Sequence, residues 1–170
     1  MSLLGSGATA SVCGQKPVSF HYVHGDNVLL EEYGRVARRA ADFCKGIVFS
    51  NRPILLRERV VFRIAECCNQ WSGTLRLGFT SHDPDTLEGS LPASAIPDMT
   101  QTPGNWVKTI DHKYAREGAV LHYYVNDTGD MFFGAFGKDR GLLMKGVNTN
   151  RNPVGRHRHL RLHHGRRNGR

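Results

Sequence analysis

The sequence predicts an all-β fold, an antiparallel β-sandwich followed by a disordered basic C-terminal tail, and three observations predict it. Residues 74–80 alternate, with Leu75, Leu77 and Phe79 on one side of an extended segment and Thr74, Arg76, Gly78 and Thr80 on the other, the period of a half-buried strand. Aromatic residues and valines recur in short alternating groups separated by Gly, Pro, Asn and Asp, at the spacing of sandwich strands. No long window carries sustained apolar spacing of three and four, so amphipathic helices are not expected.

The 170 residues have room for one domain and one core. Residues 1–16 are small and polar, the composition of a flexible leader, and the domain is expected over 17–153. Within it Val18, Phe20 and Tyr22 alternate with Ser19 and His21, and a second apolar group at 28–30 follows the turn signal Gly25-Asp26-Asn27. Glu32-Tyr33-Gly34 turns the chain into a strand at 35–40 with Val36 inward. Phe43, Ile47 and Phe49 are the candidates to cover the apolar side of 74–80, and Ser50, Asn51 and Pro53 allow a reversal before a strand at 59–65.

Residues 81–104 hold Pro84, Pro92, Pro97 and Pro103 together with Gly89 and Gly104, which makes them a long loop. Loops of that length in compact domains are more often functional than idle. Regular structure resumes at Asn105. The strand at 119–125 is expected to send Leu121, Tyr123 and Val125 to the core, Asn126-Asp127-Thr128-Gly129 has hairpin chemistry, 130–136 is the partner strand, and 141–147 adds another.

Charge is unevenly placed. Residues 1–150 hold sixteen basic and fifteen acidic residues, and the other seven arginines fall in the last twenty positions, interleaved with His157, His159, His163 and His164. Only Val154, Leu160 and Leu162 are aliphatic after Pro153, too few to offset the entropy of ordering, so residues 154–170 are expected to be disordered. Cys13, Cys44, Cys67 and Cys68 have neither zinc-ribbon spacing nor a secreted disulfide pattern, and reduced thiols are expected. The opening residues lack a basic n-region and an apolar h-region, and no run approaches a membrane span, which points to a cytoplasmic protein.

The residues that carry the most information occur in one order. They are Phe20-His21 with Gly25, the run FCKGIVFSNRP at 43–53, WSGTLRLGFT at 71–80 with Asp83-Pro84, Leu91-Pro92, Pro97-Asp98, Gly104-Asn105-Trp106-Val107-Lys108, and Gly146-Val147. Together, over 17–153, they resemble the neuralized homology repeat, the recognition domain of neuralized-type E3 ubiquitin ligases. The resemblance implies a β-sandwich of the concanavalin and SPRY kind. It implies a module that recognises peptide segments of client proteins, Notch-ligand cytoplasmic tails among them, and that in some members binds phosphoinositides. It implies no chemistry, because ubiquitin transfer there needs a separate RING domain or an adaptor, and no C-x-x-C pair occurs in this sequence. After the positions of Thr149 and Pro153, members continue with a tryptophan, an Asp-x-Tyr-Gly turn and a closing strand, whereas here Val154-Gly155-Arg156 leads into the tail. A closing strand is therefore expected to be missing, which leaves ladder groups of its neighbours unpaired.

Five residues are candidates for a peptide groove. Trp106 follows the long loop and is flanked by Asn105 and Lys108, and aromatic side chains supply contact area at low entropic cost, with core packing as the competing role. Asn105 flanks it. Arg76 stands on the polar side of its strand, where its planar fork suits a peptide carboxylate or amide, with simple solvation as the competing role. Tyr124, sharing a face with His122, extends the groove, and Trp71 is a further candidate for which core packing competes. As an alternative, Arg35, Arg38 and Arg39 with the tail could hold anionic lipid headgroups at the plasma membrane or endosomes. The tail lacks aromatic residues to stack on bases, so nucleic acid is not an expected partner. His21, His24 and Cys44 are poorly spaced for joint ligation, and neither a metal nor another cofactor is expected.

Overall fold

The computed structural model describes residues 2–4, 17–41, 44–66, 71–150 and 158–167; for 2–4, 71–74 and 158–167 the description is of the backbone. The strands are β1 (Ser2–Leu4), β2 (Phe20–His24), β3 (Val28–Glu31), β4 (Val36–Arg39), β5 (Ile47–Ser50) and β6 (Val60–Ile64). They continue as β7 (Trp71–Thr80), β8 (Asn105–Thr109), β9 (Val120–Val125), β10 (Met131–Ala135), β11 (Lys138–Met144) and β12 (Arg158–Arg167). One sheet has the order β11-β10-β9-β6-β1-β4-β3 and the other β2-β5-β12-β7-β8. Every pairing between neighbours is antiparallel.

Alternation decides which residues enter the space between the sheets. From β7 these are Leu75, Leu77 and Phe79, and from β9 Leu121, Tyr123 and Val125, all buried in one cluster with Phe62, Ile64, Met131 and Val48. Tyr123 lies at its centre, with its ring 5.3 Å from that of Phe79 in the opposite sheet and 6.3 Å, edge to face, from that of Phe62 beside it. Aromatic pairs in this geometry add to the area that they bury. The β9–β10 reversal is held by Asn126, whose Oδ1 accepts from the backbone N–H of Thr128 at 3.1 Å and of Asp130 at 2.8 Å. Gly129 takes a left-handed φ of 80° there, a conformation costly for any residue with a Cβ.

A second buried cluster lies on the other side of the five-stranded sheet. Ile47 and Phe49 of β5 and Val107 of β8 pack there against Ala95 and Met99, with Leu87, Leu91 and Ile96 around them. Residues 81–104 therefore fold back over the sheet through the 3-10 turns Pro84–Leu87 and Met99–Gln101. This corrects the expectation that Ile47 and Phe49 cover Leu75, Leu77 and Phe79. β5 is buried on both faces, so its alternation carries no sign of which side meets the core, and Val48 is the residue that does. Phe43, given the same role, lies outside the described residues.

The expectation for both ends changes as well. Part of the predicted leader, Ser2–Leu4, forms β1 between β4 and β6. Part of the predicted disordered tail, Arg158–Arg167, forms β12 between β5 and β7, in the place of the closing strand expected to be missing. The physical reason is main-chain demand. Without β12, two neighbouring interior strands would each bury a row of unpaired N–H and C=O groups, and a backbone ladder satisfies those groups with little regard to side-chain type.

Replacing Tyr123 with Ala opens a cavity where both sheets meet and is expected to cost about 3–5 kcal/mol. Tyr124→Ala, one position along and on the opposite face, is expected to cost only about 1 kcal/mol. Urea unfolding of both variants followed by circular dichroism measures the contrast, and equal losses would contradict this assignment of faces.

Candidate functional site

β7 and β8 present one row of residues on the loop-covered side of the five-stranded sheet. The register pairs Arg76 with Thr109, Gly78 with Val107 and Thr80 with Asn105, and paired residues share a face. Gly78 makes the approach possible, since a Cβ there would fall 2.2 Å from the Trp106 carbonyl oxygen. Arg76 is half-buried in this row, and its Nε is buried with no hydrogen-bond partner among the described residues. Burial lowers its pKa from the ordinary arginine value, although a guanidinium stays protonated. A desolvated cation with an unfilled donor favours a carboxylate or amide oxygen that would complete it.

Asn105 shares the row but is already engaged. Its Oδ1 accepts from Thr80 Oγ1 at 2.7 Å, and its Nδ2 donates to the carbonyls of Met99 and Thr102, each at 3.1 Å. It ties the end of the long loop to β7. Trp106 falls on the opposite side of β8, paired with Phe79, and packs half-buried against the inter-sheet core. Trp71 is the first residue of β7, and its side chain lies outside the described part.

Tyr124 belongs to the other sheet, on the side away from the core. Its ring stacks on Phe132 at 5.4 Å, and the Arg59 guanidinium sits 5.3 Å from its centroid. His122 shares that side; its imidazole lies over Gly134, and its Nε2 is 2.7 Å from Asp139 Oδ1, whose other oxygen accepts from Arg59 at 3.3 Å. The hydrogen bond from His122, together with the Arg59 charge, lowers the pKa of Asp139 from the ordinary aspartate value. Of the four candidates with described side chains, only Arg76 and Asn105 share a face. Trp106 and Tyr124 lie on two others, so no single groove gathers them.

The basic trio is also divided. Arg38 donates to Glu31 at 3.0 Å and to Glu66 at 3.5 Å, and Arg39 lies over Gly46 with its Nη1 3.4 Å from the Cys44 carbonyl. Arg35 alone of the three is exposed. His21 and His24 take local partners: His21 Nδ1 accepts from the Val23 N–H at 3.0 Å with its Nε2 3.3 Å from Asp85, and His24 Nδ1 meets the Gly25 carbonyl at 3.0 Å.

Two surface features escaped the sequence reading. Tyr33 is fully exposed at the β3–β4 turn, where Glu32, Tyr33 and Gly34 all have positive φ. Such backbone in non-glycine residues stores strain, and consecutive positive φ in Glu32 and Tyr33 has no sequence signature. Arg59, which precedes β6, is distant in sequence from Phe132 and Asp139 of the β10–β11 hairpin, and the strand order of the sheet brings it beside them around Tyr124.

A family model described as Neuralized matches residues 20–154. Protein neuralized of Drosophila melanogaster is 44% identical over 133 residues, covering 78% of this chain and 18% of its own length. E3 ubiquitin-protein ligase NEURL1B of Homo sapiens is 37% identical over 123 residues, 72% of this chain and 22% of its own. NEURL3 of Mus musculus, also an E3 ubiquitin-protein ligase by name, is 37% identical over 133 residues, 77% of this chain and 52% of its own. This chain thus spans about a fifth to a half of the length of these relatives. The crystal structure of the Drosophila melanogaster neuralized-nhr1 domain superposes with a TM-score of 0.84 at 39% identity, covering 90% of this chain and 95% of that one. The solution structure of the NHR domain in Neuralized from the same organism gives 0.80 at 36% identity, covering 92% and 95%. Among the described residues no helix is long and apolar enough to cross a membrane.

Asn105→Ala removes three hydrogen bonds that hold the loop, and we expect a loss of about 1–3 kcal/mol. Amide exchange should accelerate at 99–105 more than in β9; uniform acceleration would contradict the anchoring role. For Asp139 the folded-state pKa is depressed, so its contribution is present above the unfolded value and is lost as pH falls through the folded one. The stability gap between the wild type and Asp139→Asn is expected to narrow as pH falls below about 4. Asn keeps an acceptor oxygen for His122, so the variant removes the charge alone, and urea midpoints across that range measure its contribution.

Proposed function

Because the chain belongs to the Neuralized family, we propose that it is the recognition part of a ubiquitin ligase, a non-catalytic cytoplasmic module that captures peptide segments of client proteins of the Notch-ligand tail type. Ubiquitin transfer is supplied by a RING outside these residues, and the client goes on to ubiquitination and endocytosis. Two named mammalian relatives are E3 ubiquitin-protein ligases, and this chain matches a fraction of each.

The single observation that supports peptide capture in this chain is Arg76. A half-buried guanidinium whose Nε has no partner among the described residues costs free energy in the unbound domain. A client carboxylate or side-chain amide that completes it recovers that cost on binding, which makes Arg76 a determinant of specificity as well as affinity.

Fluorescence anisotropy with labelled Notch-ligand tail peptides tests this. Arg76→Ala is expected to weaken binding by about tenfold or more, with cooperative unfolding retained. Unchanged affinity, or loss of binding together with loss of folding, would remove Arg76 from the site.

A further inference from the structure

We propose that the slot between β5 and β7 is a strand-acceptor site, in which β12 is exchangeable for an extended apolar segment that carries a carboxylate or amide opposite Arg76. The proposal rests on the peptide-capture reading and deepens it, because it states how the peptide is seated.

Register carries the argument. His159 pairs with Phe79, Arg161 with both Leu77 and Val48, and His163 with Leu75. Those partners are all buried residues of the inter-sheet core. Leu160 pairs with Phe49 and Gly78, and Leu162 with Ile47 and Arg76, which is the phase of the second cluster. The slot is thus lined by apolar residues in one phase and by apolar residues with Gly78 and Arg76 in the other, and the β12 sequence has aliphatic residues only in the second. A shift of one residue would exchange the phases without removing the mismatch. Ionisable residues at positions in register with a buried apolar cluster are costly unless paired, so an apolar segment is the better match to these three positions.

A displacing strand takes over the register of that ladder, and its side chains must then outweigh the advantage that β12 has in being tethered to the same chain. Its requirements follow position by position, running antiparallel to β7. An apolar residue goes opposite Phe79, a bulky apolar one opposite Gly78 and Phe49, and an apolar one opposite Leu77 and Val48. Next comes an Asp, Glu, Asn or Gln opposite Arg76, and then an apolar residue opposite Leu75. The fourth place is the discriminating one, since the Arg76 Nε has no partner among the described residues. Because the slot is interior to its sheet, exchange requires β12 to leave, and association should be slow relative to diffusional docking.

The test uses the full chain and a capped synthetic peptide that carries Val-Leu-Val-Glu-Val between polar flanks, with a control that has Lys in place of Glu. Hydrogen exchange read by mass spectrometry should show amides of 158–167 losing protection on peptide addition while those of β5 and β7 keep theirs. The Glu peptide should bind at least about tenfold more tightly than the Lys control, and Arg76→Met should erase that difference. The combined substitution His159→Val, Arg161→Val and His163→Val should raise the Tm and weaken peptide binding by about tenfold or more. Retained protection at 158–167 under saturating peptide would overturn the proposal, and so would a combined variant with unchanged peptide affinity. If that variant does not fold, the exchange measurement on the unmodified chain decides alone. Loss of client binding in Arg76→Ala without deprotection of 158–167 would leave peptide capture standing and remove the slot. Deprotection by the synthetic peptide with no client tail bound would do the reverse.

Discussion

Where β5 lies, the five-stranded sheet is buried on both faces. On one side Leu75, Leu77, Phe79 and Val48 meet the other sheet, and on the other Ile47, Phe49 and Val107 are covered by the loop. Strands in such a sheet cannot rely on one wet face to solvate unsuitable side chains. Several features depend on that constraint. The loop over 81–104 is a structural cover, Asn105 is the pin that closes it against β7, and Gly78 allows β8 to approach closely enough to carry it. Arg76 is the cation left in the covered row, and its desolvation follows from the same arrangement.

The seven-stranded sheet is built differently. Over β6, β9, β10 and β11 one face is core and the other holds Arg59, Tyr124, Phe132, His122 and Asp139 in a mixed aromatic and ionic layer. Charges there are partly exposed and screened, so each contributes modestly and depends on pH and salt. Tyr123 and Tyr124 show how sharply adjacent positions divide: one fills the space between the sheets, the other stacks near the surface.

The resemblance to the Neuralized NHR structures holds across almost the whole of this chain. The residues after Pro153 are rich in Arg and His, and yet a strand occupies the position between β5 and β7. Main-chain hydrogen bonding places no condition on side chains, whereas a doubly buried slot does. Between β5 and β7 the ladder is complete, and three ionisable residues of β12 register with buried residues of the inter-sheet core.

Much of this was legible in the residues themselves. Alternation at 74–80 and 119–125 identified β7 and β9 and the inward set Leu121, Tyr123 and Val125, because bulky apolar residues recur there at every second position. The ordered motifs from Phe20 to Val147 identified the family. The orientation of β5 was not legible, since residues buried on both sides carry no alternation. Nor was the separation of Trp106, Arg76 and Tyr124 onto three faces, because strand order and sheet membership depend on contacts between segments distant in sequence. Sequence by itself determined the class, the family and the faces of the half-buried strands. Tertiary structure alone decided the covering of the second face by the loop, the capture of Arg158–Arg167 as a strand and the isolation of Arg76, because each of these depends on which ladder groups and apolar surfaces remain unsatisfied once the other strands have paired.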